Sequence, residues 1–295
     1  MLLLITSSGD GTSDLIVSRL KDKVFRLNFD QIFDFKIYQT PFFWEIENPA
    51  GIRINSKTVS NVFWWKAFNA SPPKSENFLE DEAKYILREL YSSGLNNCQR
   101  KGNPPDFHNH LGKIKILNLA SKYFDIPKTA FTLNRSSEDT VPINNRVAKS
   151  LSSSLFSGNK VLFTSDISSR IIDLNYPWFT QEKVAAKFDM TCLVVDKELF
   201  SFTRSRENLN GLDWRSEQSL DLKKEDWKPL TLDDQTKKRI KSLNLDLNVT
   251  WGRHDFMIDN SGNFIFLEFN ANGQWVFLDY SNKFGILDAV IEYLK

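Results

Sequence analysis

Cysteine and histidine are scarce in this chain: two of the first and three of the second among 295 residues. Cys98 and Cys192 give neither a disulfide framework nor zinc spacing, and His108, His110 and His254 are too few for a histidine-rich metal centre. Charge of one sign is also missing. Thirty-eight Lys and Arg face thirty-seven Asp and Glu, which argues against a strongly electrostatic nucleic-acid binder. No apolar run approaches the roughly 18 residues of a membrane span. The opening MLLLITSS soon turns polar and lacks a basic flank and a cleavage site, so it reads as a strand and not as a signal peptide. A soluble cytoplasmic protein with no membrane or nucleic-acid partner is expected.

What the chain has is aromatic and apolar mass: 24 Phe, 8 Trp and 41% hydrophobic residues, enough for a sizeable core. Its length allows one large domain or two to three small ones. Residues 1–6 read as a buried strand, SSGDGTSD as a turn, Leu15, Ile16 and Leu20 as a helix stripe, and Val24–Asn28 as a second strand. That order is typical of a parallel α/β sheet. The turn lacks both phosphate-loop glycine spacings. Residues 33–65 read as a meander of FFWEIE, GIRINSK and VSNVFWWK, with Trp64, Trp65 and Lys66, which end the run, in the core or on a groove wall. A helix with Ser75 as its cap follows, then a loop over 94–110, which sets a boundary near residue 105. Beyond it come the helix GKIKILNLASKYF, the strand TAFTL, a polar helix from Ser136 to Asn145, the strand Arg146–Lys149 and a Ser-rich loop at 150–158. The strands KVLFTSD and WFTQEKV lead to a hairpin, MTCLVVDKELFSFTRS, a long polar loop after Asn208, a helix from Asp233 and a last helix, Phe284–Leu294.

The most informative stretch is 251–279, WGRHDFMIDNSGNFIFLEFNANGQWVFLD. Asn260-Ser261-Gly262 is turn chemistry between two strands. Asp255 sits between His254 and Phe256, and Glu268 between Leu267 and Phe269. Carboxylates among such neighbours are costly without a cation or donors. Residues two apart on a strand share a face, so Glu268 and Asn270 point the same way. Two carboxylates and an amide oxygen, with Gly273 close by, are a hard-oxygen set suited to Mg²⁺, which completes its octahedron with phosphates and water. A Mg-nucleotide site on a hairpin is the reading.

Such a site needs cations for the phosphates. Lys113 opens a helix, Lys149 closes a strand, and Arg204, Arg206 and Arg215 could cover a transferring phosphate. Gln181, Glu182 and Val184 fit a strand-to-loop hinge that reads an adenine.

The order of Lys113, Ile126-Pro127, Lys149, Gln181-Glu182, Asp213-Trp214-Arg215, Asp255 and FLEFNANGQW resembles the ATP-grasp superfamily. Within it, the residues are most similar to the peptide maturases that make microviridin-type graspetides, whose signature FLE-x-N-x-x-GQ stands here as Phe266 to Gln274. The resemblance spans roughly 105–280. Phe25 to Asn28 also resembles the pre-ATP-grasp domain of those enzymes. An ATP-grasp fold is implied: a parallel α/β pre-ATP-grasp domain (1–105), then two α+β subdomains (106–189 and 190–295) clamping ATP. Phosphorylation of an Asp or Glu side chain of a bound precursor peptide, then attack by a hydroxyl or amine to close an ester or amide, is implied as the activity, with ATP and Mg²⁺ as cofactors and a homodimer as the assembly. Asp255, Glu268 and Asn270 match the metal ligands. Lys113 and Lys149 match the ATP-binding lysines, Gln181, Glu182 and Val184 the hinge, and Asp213 and Arg215 an element near the substrate. One region departs. Where the family has a lysine and then Asp-x-Arg, this chain has Ala186 and Asp189-Met190-Thr191. Lys183 or Lys187 would stand in for that lysine, and Arg204 or Arg206 for that arginine. Two rival readings stay open: a ligase of an amino acid or short peptide, and a non-catalytic nucleotide- or peptide-binding module.

Overall fold

The computed structural model describes residues 1–295 apart from 74–75, 93–97, 151–154, 157–159, 162–163, 169, 171, 208, 210 and 214–225. Ser75, Trp214, Arg215, most of the Ser-rich loop and most of the polar loop after Asn208 lie outside the described residues.

Five consecutive buried residues make β1 (Leu2–Thr6). A strand covered on both faces alternates its partners. Leu2 and Leu4 pack with α1 (Gly11–Leu20), while Leu3 and Ile5 face the opposite cluster. Asp10 caps α1 by accepting from Ser13 N at 2.7 Å. β2 (Val24–Asn28) pairs parallel with β1, as the β-loop-α-β order predicts. A meander of β3 (Lys36–Thr40), β4 (Phe43–Glu47) and β5 (Arg53–Asn55) is antiparallel. The expected third member of that meander is not part of it. β6 (Asn61–Trp64) runs parallel to β1, because all four of its residues are buried and need cover on both faces. α2 (Asn77–Ser92) covers the second face with Ala83, Leu87 and Leu90. The loop expected at 94–110 contains β7 (Gln99–Lys101), which completes a parallel sheet in the order β2-β1-β6-β7, and a short helix α3 (Phe107–His110).

α4 (Lys113–Ala120) is followed by β8 (Thr129–Thr132), β9 (Arg146–Lys149), β10 (Leu155–Phe156), β11 (Lys160–Val161), β12 (Ser165–Asp166) and β13 (Trp178–Glu182). Strands β12-β9-β13-β8 form an antiparallel sheet. No helix forms between Ser136 and Asn145. Ser137 O instead accepts from Thr140 N and Val141 N to close a turn, Val141 is buried, and Pro142 has no N–H with which to continue a helix.

The last sheet is antiparallel, in the order β16-β15-β14-β17-β18: β14 (Ala186–Val195), β15 (Glu198–Ser205), β16 (Lys228–Pro229), β17 (Trp251–Asp259) and β18 (Phe264–Asn270). One face carries Met190, Cys192, Phe256 and Phe266 onto α4 and α5 (Asp234–Leu247). On the other face Leu193, Val195 and Trp251 share a core with Leu2, Leu4, Phe63 and α6 (Ile286–Leu294). The first and last thirds of the chain therefore meet in one apolar cluster. Trp251 is its joint, packing edge-on to Phe63 and Trp65 and stacking on Tyr293. Trp64 and Trp65 are both buried. Among the described residues, no helix is long and apolar enough to cross a membrane.

Candidate active site

Period-two alternation places Asp189 and Thr191 of β14 and Arg253, Asp255 and Met257 of β17 on the face away from α4 and α5. Register puts Thr191, Asp255 and Glu268 in one row across three strands, with Arg253 opposite Asn270 on a neighbouring rung. A register shift after Asp255 bulges the β17–β18 ladder, so Leu267 and Glu268 both reach the cleft. Bulges of this kind re-aim side chains beside functional sites.

Asp255 is held on every side. Arg253 grips it with two bonds of 3.0 Å, Nε to Oδ1 and Nη2 to Oδ2. Thr191 Oγ1 donates to Oδ1 at 2.8 Å and Asn270 Nδ2 to Oδ2 at 2.7 Å. Asn270 Nδ2 also reaches Glu268 Oε1 at 3.3 Å. Burial pushes the Glu268 carboxyl up, but Lys149, the Asn270 amide, Lys113 and Arg253 outweigh it and hold Glu268 below the ordinary glutamate value. Lys149 and Lys113 are pushed down by burial, and Glu268 opposes this in both.

These groups face a cleft between the two antiparallel sheets, with about 830 Å³ of empty space including its mouth. Val147 from β9, Gln181 and Glu182 from β13, and Val184 just after it line the cleft opposite Met257, Leu267 and Glu268. Gln181 is buried and donates from Nε2 to Thr129 Oγ1 at 3.0 Å. Lys113 Nζ donates to Ser150 O at 3.0 Å, and both Lys113 and Lys149 stand over the Phe179 ring. At the other end Arg206 Nη1 donates to Asp189 Oδ1 at 2.6 Å, and Thr164 N to Asp213 Oδ2 at 3.2 Å. Burial raises the Asp189 carboxyl against the pull of Arg206. The donor set of Asp255, Glu268 and Asn270 fits Mg²⁺: two carboxylates and an amide oxygen leave positions for phosphate oxygens and water. Among the described residues, no group of three His, Cys, Asp or Glu offers a denser cage.

No protein-family model matches the sequence, and no curated protein matches it significantly. Solved structures do match. A RiPP-associated ATP-grasp ligase of Chryseobacterium gregarium, in complex with ADP and a leader and core peptide, superposes with a TM-score of 0.85 at 20% identity, over 99% of this chain and 96% of its own. The macrocyclase MdnC of Microcystis aeruginosa MRC, bound with precursor peptide MdnA, gives 0.81 at 20% identity, over 99% and 98%. PsnB, complexed with a phosphomimetic variant of minimal precursor, Mg and ADP, gives 0.73 at 14% identity, over 100% and 98%. The chain has the ATP-grasp fold.

Within this ATP-grasp fold, the cleft gathers Lys149, Gln181, Glu182, Lys183, Val184, Asp189, Arg206, Asp213, Asp255 and Glu268. Asn270 stands beside it through its bonds to both carboxylates, and Lys113 beside it next to Phe179. Arg204 is not on the cleft wall; it pairs with Asp226 at 3.4 Å. Of the two lysines weighed against Ala186, Lys183 lines the cleft, paired with Asp166 at 2.9 Å, while Lys187 is exposed and off the wall. Arg253 is the residue that sequence reasoning missed. It lies two positions before Asp255, so the same-face rule applied to Glu268 and Asn270 would have found it. Arg253 Nη1 also donates to Gln274 O at 2.7 Å, and Gln274 Oε1 accepts from Thr12 Oγ1 at 2.9 Å, which ties the start of α1 to the acid.

Proposed function

We propose that this protein is an ATP-dependent ligase that activates Asp or Glu side chains of a peptide and joins them to a hydroxyl or an amine. One observation carries the reading. Lys149 on β9 and Lys113 at the start of α4 both act on Glu268, which stands with Asp255 and Asn270, so cations for phosphates and oxygens for a metal converge at one cleft. The fold supports it, since solved proteins that share it are ligases and macrocyclases with ADP, Mg or precursor peptides in their structures.

In this reading Val147, Gln181, Glu182, Val184 and Leu267 hold the base. Lys113, Lys149 and Lys183 hold phosphates, and Asp255, Glu268 and Asn270 hold Mg²⁺. The bound metal supplies charge neutralisation of the triphosphate. The γ-phosphoryl group passes to a peptide carboxylate as the bond to the β-phosphate oxygen breaks and ADP leaves. A hydroxyl or amine then attacks the acyl carbon, phosphate leaves, and the nucleophile gives up its proton. Arg206, oriented by Asp189, lines the far end of the cleft, where it can meet negative charge on the transferring group. Asp213 lines the same end, and Arg204 adds positive field at Asp189 there. Residues 106–189 and 190–295 are the two halves of the clamp, 1–105 supports the peptide side, and a homodimer is the working assembly.

Incubation with Mg-ATP and Asp/Glu-rich, Thr/Ser-rich peptides tests the reading. ADP formation that requires peptide, with loss of water from the peptide by mass spectrometry, is expected. ADP formation with free amino acids alone would favour the small-substrate ligase, and nucleotide binding without ADP formation under any peptide would favour the binding module.

A further inference from the structure

A second cavity, about 790 Å³ with its mouth, opens at the carboxyl end of the parallel sheet. Its walls include Lys66 and Phe68 after β6, His108 from α3, and Asn270 and Asn272 at the end of β18. In that sheet β2 and β6 flank β1 on opposite sides, so the winding reverses beside β1. Open parallel sheets bind ligands outside their carboxyl ends at such a reversal. The cavity shares Asn270 with the candidate metal set, because the same side chain bonds Asp255 and Glu268.

The wall chemistry selects a class of ligand. Lys66 adopts the left-handed conformation, φ 51° and ψ 30°, uncommon for a residue with a side chain. Among the described residues its ammonium has no hydrogen bond or ion pair; it stands 5.4 Å from the Trp65 ring centroid. The nearby Asp10 is already engaged, its Oδ1 accepting from Ser13 N and Trp65 Nε1. Burial, with a smaller push from Arg253, lowers the Lys66 ammonium to about 8 against the pull of Asp10. Asn272 has a buried Oδ1 without a hydrogen-bond partner. A buried acceptor of this kind calls for an N–H donor, and a half-desolvated ammonium attracts a carboxylate more strongly than a surface lysine does. An acidic residue within a peptide offers both groups at once.

We infer that this cavity receives an acidic residue of the peptide substrate, with Lys66 binding its carboxylate and Asn272 accepting a peptide N–H, on the far side of the wall formed by Asn270. The inference rests on the peptide-ligase reading and names a subsite that anchors an acidic residue of the peptide apart from the one activated in the cleft.

Competition labelling tests it on the intact wild-type chain. Lysines are acetylated at pH 8 with a trace of isotopic acetic anhydride, and the rate at Lys66 is read by peptide mapping. The probes are N-acetyl-Ser-Glu-Asp-Thr amide and its analogue N-acetyl-Ser-Gln-Asn-Thr amide, at millimolar concentration. Protection of Lys66 by the acidic peptide and not by the amide analogue is expected, with or without nucleotide. Equal protection by both, or by neither, overturns the inference. In a second arm, fluorescently tagged acidic peptide should bind Lys66→Met at least about tenfold more weakly than wild type, with Lys66→Arg in between and ADP affinity unchanged. Equal peptide affinity in Lys66→Met overturns the inference as well. A chain that binds no Mg-nucleotide sinks the ligase reading instead, so the two failures are distinct.

Discussion

Arg253 and Asp255, two residues apart on β17, form a bidentate pair whose guanidinium also reaches the backbone of Gln274. The pair fixes the orientation of the acid and joins it to the signature loop after β18. A planar fork is needed for that double role, and lysine offers only a point charge. Arg253→Lys should therefore lower peptide-dependent ADP formation by about 10- to 100-fold, the scale of a misplaced catalytic group. A circular dichroism spectrum like that of wild type would accompany it. Turnover within a factor of two would show that Asp255 needs only charge beside it.

Glu268 sits opposite Asp255 and within the field of both lysines. Glu268→Gln keeps the shape and the Asn270 contact but removes one anionic donor for a hard cation. Mg²⁺-dependent ADP formation should fall by about 100-fold or more. The readout independent of turnover is thermal: ADP with Mg²⁺ raises the melting temperature of wild type through ligand linkage, and in the variant that rise should shrink to the level seen with ADP alone. An undiminished Mg²⁺ increment would remove Glu268 from the metal set.

Two glycines hold this geometry for different reasons. A Cβ on Gly273 would lie 2.7 Å from Arg253 Cβ and 3.2 Å from Asn270 Cβ, so Gly273→Ala pushes on both neighbours of Asp255. A cost of about 1–3 kcal/mol is expected, with weaker Mg²⁺ dependence of nucleotide binding. Gly252 has φ +138°, and its Cβ would meet the Phe269 ring at 2.3 Å. Gly252→Ala should be the more destabilising of the two. Gly9→Ala is the control, with open space around it, and should stay within about 0.5 kcal/mol in urea unfolding.

Local rules carried the reading as far as local causes reach. Turn chemistry at Asn260–Gly262 gives the β17–β18 hairpin that carries Asp255 and Glu268, and the β-loop-α-β order gives the parallel start of the sheet. Three features depended on pairings distant in sequence. β6 looked like a meander strand until its partner β1 was known. Strict alternation would put Leu267 and Glu268 on opposite faces, and only the bulge against β17 brings both into the cleft. Thr191 read as a lost arginine, whereas the register of β14 on β17 makes its hydroxyl a donor to Asp255. The polar stretch from Ser136 failed for local reasons: Ser136 Oγ accepts from Glu138 N, a side-chain bond that competes with a helix, and Pro142 has no N–H to continue one. Lys66 could be read only together with Trp64 and Trp65, as core or groove wall, because its cavity joins residues 66–69, 104–108 and 270–272, which no window of sequence contains together.

The cost of keeping Lys66 half-desolvated gives a last prediction, readable without any substrate. Its ammonium is lowered to about 8 in the folded chain from 10.5. The unfolded chain thus binds more protons between those values, and stability from this group rises with pH across that window. Below about pH 8 the folded state carries a charged ammonium that burial disfavours; above 10.5 both states are neutral and the cost vanishes. Asp10, Arg253 and His108 face the same region from three different elements and remain in every variant. Lys66→Met should accordingly be more stable than wild type at pH 7, by about 3 kcal/mol from the size of the shift, and the gap should close as pH approaches 10.5. Lys113 and Lys149 are lowered as well, but they contribute equally to both proteins and cancel in the difference. Urea unfolding of the two chains at pH 7, 8.5 and 10 checks this. A gap that stays constant with pH would mean that Lys66 is fully solvated in the folded chain, and the cavity would lose the feature that marks it for a carboxylate.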